Sequence, residues 1–216
     1  MTARQQPTLV MHFTHVDHLR TIVDHGLLCD AAAQSSGLLT AEVGNVDIKR
    51  RRRARVVPVP PGGVVADYVP FYFAARSPMM YLIAHGGVDT YDRGASRLIY
   101  LVSSLERLHD LGHATVLTDR NAVLNYAEFR PFNPADPIDD GFIDWPLMRA
   151  QYWNATTDDP QRKERRMAEA LVHHRVGWDA ILGIGVKNDV IADEVRRALT
   201  AAGAPRKVNV VPHWYF

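Results

Sequence analysis

The stretch DPQRKERRMAEALVHHR, residues 159–175, decides how this chain folds, because it supports two readings. Arg162, Lys163, Arg165 and Arg166 precede a short apolar run, and Glu169 stands inside that run between Ala168 and Ala170. Residues 162–166 are charged and suit a helix. MAEALVHH suits either element. As a strand it places Glu169, Leu171 and His173 on one face and Ala168, Ala170 and Val172 on the other. As a helix it places Glu169 one turn from Arg165 and Arg166. The carboxylate is then either an edge residue paired with one of those arginines or a group held for chemistry.

The segments around this stretch alternate in type. Downstream, WDAILGIGV (178–186) predicts a strand, DVIADEVRRALTAAG (189–203) an amphipathic helix and KVNVVPHWY (207–215) a last strand. Upstream, TLVMHF (8–13) predicts a strand. Thr14 and Asp17 resemble a capping box, ahead of a helix that Gly26 stops. Residues 30–68 read as a long irregular segment that carries four consecutive arginines, Arg50 to Arg53, and a loop of that length inside a compact domain is usually functional or disordered. YVPFYFAA (68–75) predicts an aromatic strand, followed by a helix capped by Ser77 with Pro78 in its first turn. RLIYLVSS (97–104) predicts a buried strand and SLERLHDLG a short helix. TVLTD (115–119) predicts a strand, the run through Phe132 a helix, and residues from about Trp145 another short helix. Strands and helices mix without regular alternation, which predicts an α+β fold in a single domain spanning residues 1–216 rather than a doubly wound sheet.

Composition narrows the function classes. With 216 residues, 47% hydrophobic and 23% charged, the chain can bury a core without staples. A single cysteine, Cys29, leaves no internal disulfide and fits a reducing cytoplasm. No apolar run reaches a membrane span, and the N-terminal residues lack the apolar core of a signal peptide. Glycine-rich dinucleotide, phosphate-loop and paired-cysteine motifs do not occur. The net charge of +1 hides two basic blocks, IKRRRRARVV (48–57) and RKERRM (162–167), which are either solvated faces or a local site for phosphate.

Five stretches carry a family resemblance: HFTHVDHLRTIVDHGLL (12–28), YVPFYFAARSPMMY (68–81), LTDRNA (117–122), DWPLMRAQYW (144–153) and RRMAEALV (165–172). Together, and in this order, they resemble the DarT family of bacterial DNA ADP-ribosyltransferase toxins. The resemblance implies an ADP-ribosyltransferase fold, with two small facing sheets around a split cleft that binds NAD. It implies transfer of ADP-ribose to a base, thymine in the best-known branch, of single-stranded DNA. NAD is then a co-substrate, no metal is needed, and a macrodomain antitoxin of the DarG type is the partner. Transfer to RNA or protein, and a silent nucleic-acid-binding module, are the alternatives.

The resemblance also distributes roles. Glu169 is implied as the carboxylate that holds the ribose and offsets the positive charge developing as neutral nicotinamide leaves. The same group, or a neighbour, can take the proton from the acceptor base. His12 and Thr14 are implied at the adenosine half of NAD, and two side chains two residues apart on a strand can reach one ribose. A core histidine and a helix cap are their plainer readings, and His15 and His18 are read as solvent-facing. The catalytic arginine falls in the run Arg50 to Arg53, where Arg52 aligns best and Arg51 next. A guanidinium suits a pyrophosphate or a base carbonyl.

Tyr72 is the candidate for stacking on nicotinamide, ahead of Phe73 and Tyr81. Arg76 and Ser77, at a strand-to-helix junction, are candidates for holding phosphate. Met79 and Met80 read as core, Asp119 as a turn residue and Asn121 as a residue that positions the site. In the loop before Glu169, Trp153 is expected either to stack on a base or to anchor the loop in the core, Asn154 to read a base edge, and Arg162 and Lys163 to hold phosphates. Single strands suit the reaction because a thymine ring nitrogen is hidden in a duplex.

Overall fold

The computed structural model describes residues 6–38, 43, 45–88, 91 and 93–216. In chain order the elements are β1 (Leu9–His15), α1 (Leu19–His25), β2 (Leu27–Leu28), α2 (Asp30–Ser35), α3 (Val46–Ala54), β3 (Tyr68–Tyr72), α4 (Pro78–Ala84), β4 (Leu98–Ser104) and α5 (Leu105–Asp110). They continue with β5 (Thr115–Thr118), β6 (Phe129–Pro131), α6 (Trp145–Arg149), α7 (Arg162–Arg165), β7 (Glu169–His173), β8 (Arg175–Val176), β9 (Gly183–Val186), α8 (Asp189–Ala201) and β10 (Lys207–Val210).

Eight strands form one sheet in the order β10-β9-β4-β1-β3-β7-β5-β6, and β2 pairs with β8 beside it. Among the described strands, only β9 and β10 run parallel, joined through α8. β1 pairs with β4 from Leu9↔Ser104 to His15↔Leu98, and β3 pairs with β7 from Tyr68↔His173 to Tyr72↔Glu169. Between these two halves, β1 and β3 meet at one pair, Met11↔Tyr72, and then part. The α+β architecture and the split cleft are as expected, but the two small facing sheets are halves of one large sheet joined at that single point.

Pro70 gives a local cause for the parting. Its carbonyl points toward β1, so the N–H that proline lacks would have faced β1 as well. The ladder therefore loses a donor one step beyond the Met11 pair. The His12 ring takes up the orphaned carbonyl instead, with Nδ1 2.8 Å from Pro70 O.

Both faces of the sheet are covered. Val10, Val69, Ile99, Leu101, Ala170 and Val172 pack with Val195 and Leu199 of α8 in the main core. On the opposite face Met11, Leu98 and Tyr100 pack with Met80 and Ile83 of α4 and with Tyr215. Residues 159–175 turn out to be helix first, then strand. α7 spans a single turn, and β7 lies between β3 and β5 with Ala168, Ala170 and Val172 in the core. A segment with a sheet partner on each side has its backbone groups paired as a strand, which overrides its helical propensity.

Several expectations need correction. Residues 30–68 contain two helices, α2 and α3, and the arginine run lies on α3, capped by Asn45, whose side chain accepts from the N–H groups of Asp47 and Ile48. The run from residue 120 to Phe132 holds turns and β6 rather than a helix, because its backbone pairs with β5. Thr14 does not cap the first helical turn. His15 accepts from the Asp17 N–H there, while the Thr14 hydroxyl lies 3.0 Å from His18 Nδ1. His15 and His18 are buried, not solvent-facing. Ser77 caps α4 by accepting from the Met80 N–H, as expected. Gly26 ends α1 at φ 81°, where a Cβ would meet Val176 O at 2.8 Å.

Candidate active site

The cleft opened by the parting of β1 and β3 has a cavity volume of about 250 Å³. Helical phase selects which part of the basic block faces it. Asn45, Ile48, Lys49 and Arg52 line the cavity and are spaced three, four and seven residues along one stripe of α3. Asp30 fixes that rotation by binding Lys49 Nζ at 2.7 Å and Arg53 Nη2 at 3.1 Å. Arg51, one position away, is exposed and does not line the cleft, because the turn of the helix carries it to the outer face, so of the two candidates the structure brings Arg52 to the site. Arg50 is also exposed and pairs with Asp47 at 2.9 Å.

Glu169 is 2% exposed and reaches three elements. Its Oε1 accepts from Arg52 Nη1 at 2.8 Å, and its Oε2 accepts from the Ala122 N–H at 3.1 Å. Its own N–H donates to Thr118 Oγ1 at 3.1 Å. The partner of the carboxylate is thus Arg52 rather than Arg165 or Arg166. Arg52 keeps a second edge uncommitted: its Nη2 is buried with no hydrogen-bond partner among the described residues.

Tyr72 stands directly across from Glu169 in the sheet register. Burial, and then the nearby carboxylate, push its hydroxyl well above the usual phenol range, so it stays protonated and uncharged. The Phe13 ring lies nearly parallel to it, with centroids 6.1 Å apart. His12 is half-buried at the split, and burial pushes its pKa down to about 4, with the Arg52 charge adding to the effect. A neutral ring that donates Nδ1–H to Pro70 O leaves Nε2 as an acceptor. His12, Thr14, Arg52, Tyr72, Asn121 and Glu169 all line the one cavity, although they come from five separate parts of the chain.

The basic residues before Glu169 divide into two groups. Arg165 is committed inside the protein, binding Asp144 at 3.1 Å and Asp159 at 2.7 Å. Arg166 is buried, and its guanidinium donates to the carbonyls of Leu147 (2.6 Å), Met148 (3.3 Å), Ala150 (2.9 Å) and Ala75 (2.8 Å). It thereby ties the end of α6 to the strand-to-helix junction before α4. Arg162, partly exposed, donates to Tyr152 O at 3.1 Å, and Lys163 is exposed.

Trp153 is not an open platform. It is 6% exposed, edge-on to Tyr81 and Phe216, because the loop needs an apolar anchor there. Asn154 is exposed on the same loop. Phe73 packs against Trp145 in the core, and Tyr81 stacks on His85. Asp119 closes a turn through the Glu128 N–H at 2.8 Å, as a turn residue should. Arg76 lies over the Phe216 ring at 4.3 Å with φ 54°.

Two contributors were not legible in the sequence. The Ala122 N–H and the Thr118 hydroxyl hold Glu169 in place, yet a backbone donor has no residue signature. The one available signal was the LTDRNA stretch itself, a turn after a strand. Among the described residues, no group of three or more His, Cys, Asp or Glu could hold a metal ion, and no helix is long and apolar enough to cross a membrane.

A split α+β sheet carries a buried Arg–Glu pair and a neutral strand histidine in the cleft at its parting, and its relatives identify this chain as an ADP-ribosyltransferase. A family model described as DarT, ssDNA thymidine ADP-ribosyltransferase, matches residues 11–216, and the chain belongs to that family. It is 36% identical over 213 residues to the DNA ADP-ribosyl transferase of Thermus sp. (strain 2.9), covering 98% of this chain and 97% of the relative. The structure of Thermus sp. 2.9 DarT in complex with ADP-ribosylated ssDNA superposes with a TM-score of 0.89 at 34% identity, covering 100% of this chain and 99% of the other. The same protein in complex with NAD+ gives a TM-score of 0.85 at 33% identity, with both chains fully covered. A more distant relative, 20% identical and matched over 47% of its length, is a DNA ADP-ribosyl transferase–DNA ADP-ribosyl glycohydrolase fusion protein from Thermosipho africanus.

Proposed function

We propose that this enzyme transfers the ADP-ribosyl group of NAD to thymine in single-stranded DNA and releases nicotinamide. The bond from the ribose anomeric carbon to the nicotinamide nitrogen breaks, and its electron pair leaves with nicotinamide. A ring nitrogen of the base then bonds to that carbon and gives up its proton. The observation that carries this reading is the Arg52–Glu169 pair, 2.8 Å apart on the wall of the cleft, with one guanidinium edge free.

Glu169 is assigned to the ribose hydroxyls and the developing positive charge, and also to receiving the proton of the base. Arg52, through its free edge, is assigned to the pyrophosphate or the base carbonyl. His12 Nε2 is an acceptor for a ribose hydroxyl, with Thr14 beside it, and Tyr72 offers an uncharged ring to nicotinamide. A preorganised carboxylate and cation aimed at developing charge act strongly in a site shielded from water. The acceptor strand is assigned to the loop before α7 and to α7, through Asn154, Arg162 and Lys163. The glycohydrolase fused to the Thermosipho relative supports a macrodomain antitoxin as the partner. The use of NAD and DNA as substrates supports a cytoplasmic location.

Incubation with labelled NAD and single-stranded oligonucleotides of varied sequence, followed by mass spectrometry, tests the reading. An ADP-ribose adduct on thymine is expected. Label confined to RNA or protein, or no label anywhere, would refute it.

A further inference from the structure

Trp153 is buried, but the aromatic residue beside it is not. Tyr152 is 74% exposed, and its backbone is pinned by Arg162. A second tyrosine, Tyr126, is 53% exposed. Its hydroxyl donates to Glu164 Oε2 at 2.7 Å, and the Arg120 guanidinium lies 5.2 Å from its ring centroid. Arg162 and Glu164 are two residues apart on α7, about 200° around the helix axis, so the two tyrosines attach to opposite sides of it. α7 itself borders the cleft. The Asn121 N–H donates to Glu164 O at 3.2 Å, and Met167, just beyond α7, lines the cavity with Asn121.

Charge on this surface is nearly balanced. Arg165 and Arg166 are committed to internal partners, and Arg120 pairs with Asp119 at 2.7 Å. Arg162, Lys163 and the exposed Arg149, three residues before Tyr152, remain, opposed by Glu164 and the exposed Asp158. Two exposed planar rings with so few available cations suit a run of bases better than a run of phosphates. Every base has a face to stack, so such a platform tolerates any sequence.

Resting on the DNA-modifying reading above, we infer that Tyr152 and Tyr126 are stacking platforms for the nucleotides flanking the acceptor thymidine, and that the strand is held more by stacking than by charge. Anisotropy titration with a fluorescein-labelled single-stranded oligothymidylate tests this, with melting temperatures to verify folding. Tyr152→Ala and Tyr126→Ala are each expected to weaken binding on the order of 10-fold. The Tyr→Phe variants keep the ring and should bind like the parent protein. The slope of log affinity against log salt should be shallow, about −2 or less steep, as for two or three phosphate contacts. Parent-like binding by both alanine variants, phenylalanine variants as weak as alanine, or a slope of about −4 or steeper would overturn the inference. These are binding measurements. A parent protein that binds DNA through the tyrosines but transfers no ADP-ribose would refute the proposed reaction and leave the track standing, whereas transfer without any dependence on the rings would do the reverse.

Discussion

Arg52 and Glu169 lie 117 residues apart in the chain, and Nη1 of one sits 2.8 Å from Oε1 of the other. Arg52 is 11% exposed and Glu169 2% exposed, so each charge depends on the other for its tolerance of burial. The pair joins α3 to β7 on the wall of the cleft, and Arg52 Nη2 has no hydrogen-bond partner among the described residues.

Replacing Glu169 with Gln keeps the shape and the acceptor for the Ala122 N–H but removes the negative charge. ADP-ribosyl transfer and nicotinamide release should fall on the order of 10²–10³-fold, while NAD still binds, as calorimetry can check. Parent-level turnover in E169Q would end the assignment of Glu169.

Arg52 and Arg51 should behave differently although they are adjacent. Arg52→Ala removes the free guanidinium edge and strands a buried carboxylate, a loss of up to about 3–5 kcal/mol in stability along with turnover. Arg51→Ala, on the outer face of α3, should change nicotinamide release less than about 2-fold, since surface substitutions rarely act at a distance. Equal losses in the two variants would contradict the helical phase described here.

The His12 ring links stability to acid. Its folded pKa is about 4 against an ordinary value of 6.5. As pH falls below 6.5 the unfolded chain takes up a proton that the folded chain refuses until about 4. Stability therefore declines across that window, levels off below it, and is unaffected above it. The decline amounts to roughly 3 kcal/mol at most. Burial also lowers the pKa of His15, which acts in the same direction. Urea unfolding at about pH 7.5 and about pH 4.5 should show a smaller difference for His12→Asn than for the parent. An identical difference would mean that the ring titrates freely.

Arg166 is a strut. Its four carbonyl partners span the end of α6 and Ala75, and burial pushes its pKa down to about 10, still charged at neutral pH. Arg166→Met leaves those carbonyls without their donor, at a cost of about 3 kcal/mol or more in urea unfolding. Arg166→Lys should rescue little, because one ammonium cannot replace a planar fork shared among four acceptors. A loss under about 1 kcal/mol would show that water or neighbours satisfy the carbonyls.

The sequence by itself determined the mixed α+β class, the capping of α4 by Ser77, the stop at Gly26 and, through its short motifs, the family. These are local properties, written in the spacing of apolar residues and in turn chemistry within a few positions. It left residues 159–175 ambiguous between helix and strand, left the arginine run in a supposed loop, and left Trp153 open between a base platform and a core anchor. Only the tertiary structure decided those. β7 is a strand because β3 and β5 flank it, and Arg52 faces the cleft because Asp30 fixes the rotation of α3. Trp153 is hidden because Tyr81 and Phe216 close around it. Each outcome depends on groups distant in the chain, and their burial and pairing energies exceed the preferences that neighbouring residues express.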